Sequence, residues 1–223
     1  MRYRLSRIVI GPVLHAISRP KVTGAENIPA SGGAILAANH LSLIDSIFLP
    51  LVLDRPVTFS AKAEYFTASD PAGRLLAAYL RATSQLRMDH DMPRAAQETL
   101  EAALVLLRQG TLFAIYPEGT RSPDGRLYRG RAGVGWLALK SGLPVIPVAL
   151  SGTRQVLPPG RLVPRPGRVE VRIGPPLVIA PELADELPGK ARRLIADQVM
   201  SAIQELSGQE YVHVFAEPRE GRR

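Results

Sequence analysis

Residues 33–46 read Gly33-Ala34-Ile35-Leu36-Ala37-Ala38-Asn39-His40-Leu41-Ser42-Leu43-Ile44-Asp45-Ser46. The run from 34 to 38 is short, apolar and preceded by glycine, which is typical of a buried strand. Apolar residues then recur at helical spacing up to residue 52, although Pro50 argues against a long helix. The stretch therefore predicts a strand-to-helix turn that carries a histidine and an aspartate between two buried elements.

His40 and Asp45 are the candidate catalytic pair of this turn. If Ser42 caps the helix, Asp45 occupies its third position and can accept a hydrogen bond from the His40 ring, which leaves the other ring nitrogen free as a base. The pair would be half of a Ser-His-Asp triad, and the missing hydroxyl could belong to the substrate. Alternatively, Ser42 and Asp45 form a capping box and His40 is a polar loop residue. The two interpretations are compatible.

The composition limits the classes of protein and of site. A chain of 223 residues can form one sizeable core, and nothing in it requires two domains. Because there is no cysteine and the four histidines are scattered, we expect no disulfide and no metal site. The net charge of +8 suggests an anionic partner such as a phospholipid surface, a nucleotide-like cofactor or nucleic acid. Aromatic residues, at 5%, are too few for a single-strand nucleic-acid platform.

The chain divides into three predicted segments. Residues 1–20 form a basic amphipathic segment, which could lie in a membrane interface or be an ordinary docked helix. Residues 21–210 form the main domain, and residues 211–223 form a charged C-terminal tail. No apolar run reaches the roughly 20 residues that a membrane-spanning helix needs, so we expect a soluble or peripheral protein.

Strands alternate with helices along the main domain, which predicts an α/β fold: a single domain with a mostly parallel or mixed central sheet flanked by helices. Two prolines, Pro144 and Pro147, suggest that the strand at 143–150 lies at an edge or in an irregular wall. Active groups of such sheets gather at the carboxyl ends of the strands. The polar residues that directly follow predicted strands are His40, Lys62, Asp89 and Glu118–Arg121.

Four blocks, in this order, resemble the glycerolipid acyltransferases of the 1-acyl-glycerol-3-phosphate acyltransferase type, and they lie within residues 22–152. The first resembles the family's His-x4-Asp catalytic block, the second its lysine segment, the third its Phe-Pro-Glu-Gly-Thr-Arg-Ser substrate block, and the fourth its proline-bearing block. In this chain they are His40-x4-Asp45, Ala61-Lys62-Ala63-Glu64, Tyr116-Pro117-Glu118-Gly119-Thr120-Arg121-Ser122 and Val145-Ile146-Pro147-Val148-Ala149. The resemblance implies a glycerol-3-phosphate acyltransferase-like fold with a short N-terminal membrane-associating helix.

The resemblance also implies the reaction. A fatty acyl group would move from acyl-CoA or from acyl-ACP, the thioester of acyl carrier protein, to the free sn-2 hydroxyl of 1-acyl-glycerol 3-phosphate, giving phosphatidic acid. His40 would be the general base and Asp45 would orient it. Lys62 and Arg121 would hold the acceptor's phosphate, and Pro147 would be either structural or part of the acyl pocket. The implied substrate-binding residues are Lys62, Glu118, Gly119, Thr120, Arg121 and Ser122.

The same resemblance implies the partners and the location. It implies no cofactor beyond the acyl thioester co-substrate. The partners would be the thioester donor, with acyl carrier protein as one option, a lysophospholipid acceptor and a membrane surface, but not nucleic acid. The protein would be peripheral on the cytoplasmic face of the cell membrane.

One block departs from the family pattern. Asp89-His90 stands where the family commonly has Asp-Arg, so Arg87, Arg129 or Arg131 would have to compensate, or the acceptor is another lysophospholipid or hydroxyl-bearing lipid. Two alternative functions from classes other than acyl transfer are also compatible with the sequence. A non-catalytic protein could bind anionic lipid or nucleic acid through its charge, and a thioesterase-like hydrolase could use the same His-Asp pair to activate water.

Overall fold

A seven-stranded sheet forms the centre of the computed structural model. The structure describes residues 11–88, 94–161, 163–179, 183 and 186–217. The strands are β1 (Lys21–Thr23), β2 (Ala34–Ala38), β3 (Val57–Lys62), β4 (Leu86–Met88), β5 (Leu112–Ile115), β6 (Leu127–Tyr128), β7 (Val145–Ser151), β8 (Glu170–Ile173) and β9 (Tyr211–Val212). The strand order of the large sheet is β1-β8-β7-β2-β5-β3-β4, and a separate two-stranded sheet pairs β6 with β9.

The predicted α/β class is confirmed. All neighbouring strands of the large sheet are parallel except β7 and β8, which are antiparallel. β2 lies between β5 and β7, and every residue from 34 to 38 is buried. A strand that is covered on both faces by helices needs apolar residues at every position, and this explains the continuous apolar run.

Helices cover both faces of the sheet. Described residues 11–18 are helical and form α1. The other helices are α2 (Asp45–Val52), α3 (Pro71–Ala82), α4 (Ala95–Arg108), α5 (Gly133–Ser141), α6 (Thr153–Val156) and α7 (Pro188–Ser207). One face of the sheet is covered by α1, α2, α3 and α6, and the opposite face by α4, α5 and α7.

The edge position predicted for the strand at 143–150 is wrong. β7 lies between β8 and β2, and Pro147 is paired with Ala37 of β2. The carbonyl of Pro147 accepts a hydrogen bond from Gly174 N–H at 2.9 Å, on the side away from β2. Since the N and the carbonyl of one strand residue face the same side, the missing N–H of Pro147 does not interrupt the β2 ladder.

The predicted cap of α2 is present in part. The helix begins at Asp45, later than the spacing predicts, and its N-cap residue Ile44 makes no side-chain cap hydrogen bond. Ser42 Oγ accepts Ile44 N–H at 3.4 Å, and Asp45 Oδ2 accepts Ser42 N–H at 2.8 Å, which are local contacts of the capping type. Ser42 also donates its hydroxyl proton to the carbonyl of Leu157, 2.7 Å away, and this long-range bond has no signal in the local sequence.

The structure describes part of each predicted terminal segment. In the expected tail, Tyr211–Val212 pairs with β6 and Ala216 is 2% exposed, whereas Val214 and Phe215 are exposed. Contacts with the main domain therefore continue past residue 210. Of the N-terminal segment, residues 1–10 lie outside the described part, as does the Asp89-His90 departure. No helix among the described residues is long and apolar enough to cross a membrane.

Gly135 lets α5 approach α7, and this generates a stability prediction. A β-carbon on Gly135 would lie 2.2 Å from the carbonyl oxygen of Arg192, whereas one on Gly133 would meet Leu100 at an ordinary 3.5 Å. We expect Gly135→Ala to lower the free energy of unfolding by about 1–3 kcal/mol, because two backbones must separate. The matched control Gly133→Ala should cause no loss. Urea denaturation measures both, and equal stabilities would contradict the close approach.

Candidate active site

The turn after β2 brings His40 and Asp45 into contact. His40 Nδ1 lies 2.9 Å from Asp45 Oδ2, the Asp45 side chain is fully buried, and that of His40 is 15% exposed. Because a carboxylate only accepts hydrogen bonds, Nδ1 carries the proton of a neutral ring. Nε2 is then left with a lone pair, which is the state that a general base requires.

The same carboxylate oxygen also fixes the backbone of the turn. Asp45 Oδ2 accepts hydrogen bonds from Leu41 N–H at 2.7 Å and from Ser42 N–H at 2.8 Å. The second oxygen, Oδ1, is buried and has no hydrogen-bond partner among the described residues. The orientation of the His40 ring and the path of the chain therefore depend on one atom.

Tyr116 supports the other side of the histidine. Its ring stacks on the His40 ring with centroids 4.0 Å apart and an angle of 14° between the planes. Its hydroxyl lies 3.1 Å from Ser46 Oγ. Burial, together with the nearby Asp45 carboxylate, raises the pKa of the Tyr116 hydroxyl well above its ordinary value, so this group stays protonated and serves as a flat support.

Glu118 joins the histidine turn to the strand that follows the substrate block. One carboxylate oxygen accepts His40 N–H and the other accepts Tyr128 N–H, each at 3.0 Å. Glu118 is fully buried. Ser122 N–H donates in turn to the carbonyl of His40 at 2.7 Å. The backbone N–H and the carbonyl of His40 are therefore both bound by residues of the substrate block.

Asn39 anchors the turn to β7. Its amide donates to the carbonyl of Leu150 at 2.9 Å and accepts Leu150 N–H at 2.7 Å. The same amide donates to Gln209 Oε1 at 2.7 Å. The segment after α7 therefore reaches the residue adjacent to the histidine.

A cavity of about 650 Å³ opens beside His40. β3 pairs with β5 only as far as Phe59 and Ala114, and from Ser60 onward it pairs with β4. The sheet thus separates between β3 and β5, and residues of opposite faces, such as Phe59 and Phe113, line the same cavity. The apolar wall consists of Leu43, Ile47, Phe59, Leu76, Leu80, Leu100, Phe113, Ile115 and Val134.

Three cationic side chains line the cavity together with His40: Lys62, Arg121 and Arg131. Within the described part of the chain, none of the three forms an ion pair. A cluster of uncompensated cations beside an apolar space fits a ligand with an anionic head and an apolar chain.

The structure separates the remaining predicted site residues into two groups. Gly119 and Thr120 line the cavity with Arg121. Glu118 and Ser122 are buried behind it and contact the histidine turn instead. Pro147 is buried in β7 and is not a lining residue, which favours the structural alternative for it.

The backbone of the substrate block offers hydrogen-bond donors. Gly119 has φ +75° and donates its N–H to the carbonyl of Tyr116 at 2.9 Å, which closes the turn. The N–H groups of Thr120 and Arg121 have no hydrogen-bond partner among the residues that the structure describes. Donors of this kind beside a general base are suited to stabilising a developing oxyanion.

Three contributors to the site were not singled out from the sequence. The family pattern shows Tyr116 only as a tyrosine at the position of a phenylalanine, although an aromatic residue at the end of a buried strand is a usable signal. Arg131 is one of the three arginines that could compensate for the Asp89-His90 departure. Phe215, whose ring faces Arg131, lies in the expected tail and carries no periodic or motif signal.

Comparisons with known proteins show similarity to acyltransferases. The model of the acyltransferase family matches residues 19–151. The chain is 33% identical over 180 residues to the chloroplastic 1-acyl-sn-glycerol-3-phosphate acyltransferase LPAT1 of Arabidopsis thaliana, an alignment that covers 80% of this chain and 48% of that protein. It is 28% identical to the 1-acyl-sn-glycerol-3-phosphate acyltransferase of Bacillus subtilis, over 70% of this chain and 73% of that protein.

The solved structures include a similar fold. The crystal structure of the 1-acyl-sn-glycerophosphate acyltransferase PlsC from Thermotoga maritima superposes with a TM-score of 0.62 and 29% identity, over 90% of this chain and 79% of that one. The chain spans about half the length of the chloroplast relatives that it matches.

The burial of Glu118 generates a pH prediction. Burial raises the pKa of Glu118 from 4.5 to about 7, although its bonds to Tyr128 N–H and His40 N–H oppose the rise. Between pH 4.5 and about pH 7 the folded chain binds more protons than the unfolded chain, so the free energy of unfolding falls as pH rises. At about 1.4 kcal/mol per unit, the loss from this group is at most about 3 kcal/mol.

Chemical denaturation at pH 5, 6, 7 and 8 measures this loss. The free energy of unfolding of the wild type, minus that of Glu118→Gln, should decrease from pH 5 to pH 8, because the glutamate gains a buried charge and the glutamine does not. The control is Glu205→Gln, which makes the same change at an exposed position of α7. A constant difference for Glu118→Gln would contradict the shifted pKa.

Proposed function

The chain belongs to the acyltransferase family, and from this membership and the site geometry we propose that it transfers a fatty acyl group from a thioester to the free sn-2 hydroxyl of 1-acyl-glycerol 3-phosphate. The product is phosphatidic acid. One observation carries the proposal: the His40-Asp45 pair lies at an apolar cavity that also holds three cationic side chains.

His40 is the general base of the proposed mechanism. Nε2 takes the proton of the acceptor hydroxyl while Asp45 stabilises the imidazolium that forms. The acceptor oxygen attacks the thioester carbonyl carbon, the carbon–sulfur bond breaks, and the leaving thiolate takes the proton from His40. The acceptor supplies the nucleophile, so no acyl-enzyme intermediate is needed.

The N–H groups of Thr120 and Arg121 are the proposed oxyanion donors. They border the same cavity as His40 and lack other partners in the described chain. They belong to a turn in which Glu118 and Ser122 form hydrogen bonds with the His40 backbone. These bonds fix the position of the two donors relative to the base. Donors that are already oriented stabilise the developing charge without reorganisation during the reaction.

The cationic and the apolar lining residues of the cavity suit the two parts of a lipid substrate. Lys62 and Arg121 hold the acceptor's phosphate, and the arginine can do so through two parallel hydrogen bonds. The apolar wall accommodates acyl chains. The donor is acyl-CoA or the acyl thioester of acyl carrier protein, and both offer the same thioester carbonyl to the acceptor oxygen.

The protein acts, in this proposal, as a peripheral enzyme on the cytoplasmic face of the membrane. The net charge of +8 favours binding to anionic lipid, and the acceptor is itself a membrane lipid. The basic segment at residues 1–20 is the proposed membrane contact, with electrostatic attraction and apolar insertion acting together.

A thiol-release assay tests the reaction. Purified protein should release thiol from palmitoyl-coenzyme A only when 1-acyl-glycerol 3-phosphate is present. We expect His40→Gln to lower kcat by about 100- to 10,000-fold, the range typical of a lost general base. The control is His15→Gln, which changes an exposed histidine of α1 and should retain activity.

Product analysis in the same assay separates the alternatives. Free fatty acid without acylated product would identify a hydrolase, and normal turnover of His40→Gln would contradict the mechanism. If neither thioester donor supports transfer to any acceptor, the alternative of a non-catalytic protein that binds anionic lipid or nucleic acid takes first place.

A second prediction concerns the apolar wall of the cavity. Leu100 of α4 lines it, whereas Val105 of the same helix is 54% exposed. Because tryptophan would occupy space needed by a long acyl chain, Leu100→Trp should lower the ratio of kcat/KM for hexadecanoyl over octanoyl donors by at least about tenfold. Val105→Trp should leave that ratio unchanged. An unchanged ratio in Leu100→Trp would place the acyl chain elsewhere.

A further inference from the structure

Arg131 lies across the turn that carries the substrate block. A β-carbon on Gly119 would be 2.7 Å from Arg131 Nε and 2.8 Å from its Cδ, so the side chain passes directly over the glycine. The backbone N–H of Arg131 donates to the carbonyl of Pro117 at 2.7 Å, which anchors the start of the side chain. Arg131 therefore borders the same space as His40 and Arg121.

The charge of Arg131 is not neutralised within the described chain. The Arg131 guanidinium has no carboxylate partner there, and it lies over the ring of Phe215, whose centroid is 5.4 Å from Cζ. An aromatic ring holds an arginine by its face and leaves the in-plane N–H donors available. This arrangement restricts the side chain while keeping its donors for an anion.

Phe215 is itself held in place by the segment after α7. Arg129 N–H donates to the carbonyls of Val212 at 3.1 Å and Val214 at 3.0 Å, and Leu127 N–H donates to that of Glu210 at 2.9 Å. The next residue, Ala216, is 2% exposed and fixes the chain beyond the ring. Although Phe215 is exposed, its position beside the substrate block is therefore defined.

We propose that Arg131 is a ligand of the acceptor's phosphate group and that Phe215 is the residue that positions it. The segment at 208–217 would then complete the substrate site from outside the family-matched residues 19–151. The proposal deepens the function proposed above and rests on it for the identity of the acceptor. The shared chemistry is a phosphate monoester, which coenzyme A also carries, and the test distinguishes the two sources.

Arg129 provides a matched control for Arg131. Its guanidinium lies 5.5 Å from the same ring centroid, but Arg129 does not line the cavity. Both changes to glutamine remove one positive charge near the site, so a general electrostatic effect would be similar in the two variants. A direct contact with phosphate would be lost only in Arg131→Gln.

Calorimetric titration of the full chain with three separate ligands tests the proposal: 1-octanoyl-glycerol 3-phosphate, 1-octanoylglycerol and coenzyme A. We expect Arg131→Gln to weaken binding of the phosphorylated lipid by about 10- to 100-fold, the effect of a lost hydrogen bond to a charged group. The affinities for 1-octanoylglycerol and coenzyme A should not change, and Arg129→Gln should bind all three like the wild type.

Changes to Phe215 test the positioning role. Phe215→Leu keeps an apolar side chain but loses the cation–π contact, so the Kd for the phosphorylated lipid should rise about two- to fivefold. Phe215→Tyr should restore it. In the acyl-transfer assay the same loss should raise the acceptor KM and leave kcat unchanged, which a general loss of structure would not do.

Several outcomes would overturn the proposal. They are weaker binding of both lipids in Arg131→Gln, weaker binding of coenzyme A alone, an equal effect in Arg129→Gln, and no binding of the phosphorylated lipid by the wild type. The function and the inference can fail separately. If the wild type binds the phosphorylated lipid selectively but transfers no acyl group, the proposed function is wrong and the Arg131 site stands. If Arg131→Gln transfers acyl groups with a normal acceptor KM, the proposed function stands and the Arg131 site is wrong.

Discussion

The buried carboxylate of Asp45 is the constraint on which the site depends. One oxygen accepts hydrogen bonds from the His40 ring and from two backbone N–H groups of the turn between β2 and α2. A buried acceptor that lost these donors would carry an uncompensated desolvation cost, so the folded chain keeps all three together. The histidine is oriented because the fold requires the same bonds.

The sheet supplies the space in which this pair can act. Strands that pair along their whole length leave no opening, but β3 leaves β5 after Phe59 and joins β4. The opening appears toward the carboxyl ends, where His40, Lys62 and the substrate block also lie. An apolar space, a base and cations therefore meet at one place as a consequence of strand order and direction. The site is assembled from segments far apart in the chain.

Sequence reasoning located the local parts of the site and missed the long-range ones. The alternation of strands and helices was enough to place His40 and Lys62 after strands, because those signals are local. The edge position predicted for the strand containing Pro147 is wrong, because β7 lies between β8 and β2. The hydrogen bond from Ser42 to the carbonyl of Leu157 likewise joins residues far apart in the chain. No local pattern indicates that the Glu118 carboxylate binds His40 N–H, or that a lone aromatic at 215 faces an arginine of the cavity.

Determining the tautomer of His40 tests most directly the central claim that its Nε2 is the general base. With only four histidines in the chain, ¹⁵N-labelled histidine gives a spectrum that His40→Gln can assign. In the neutral ring we expect a proton on Nδ1 and a bare Nε2, and Asp45→Asn should remove this preference. A wild-type ring protonated on Nε2 would contradict the account, because that nitrogen could not accept the proton of an acceptor hydroxyl.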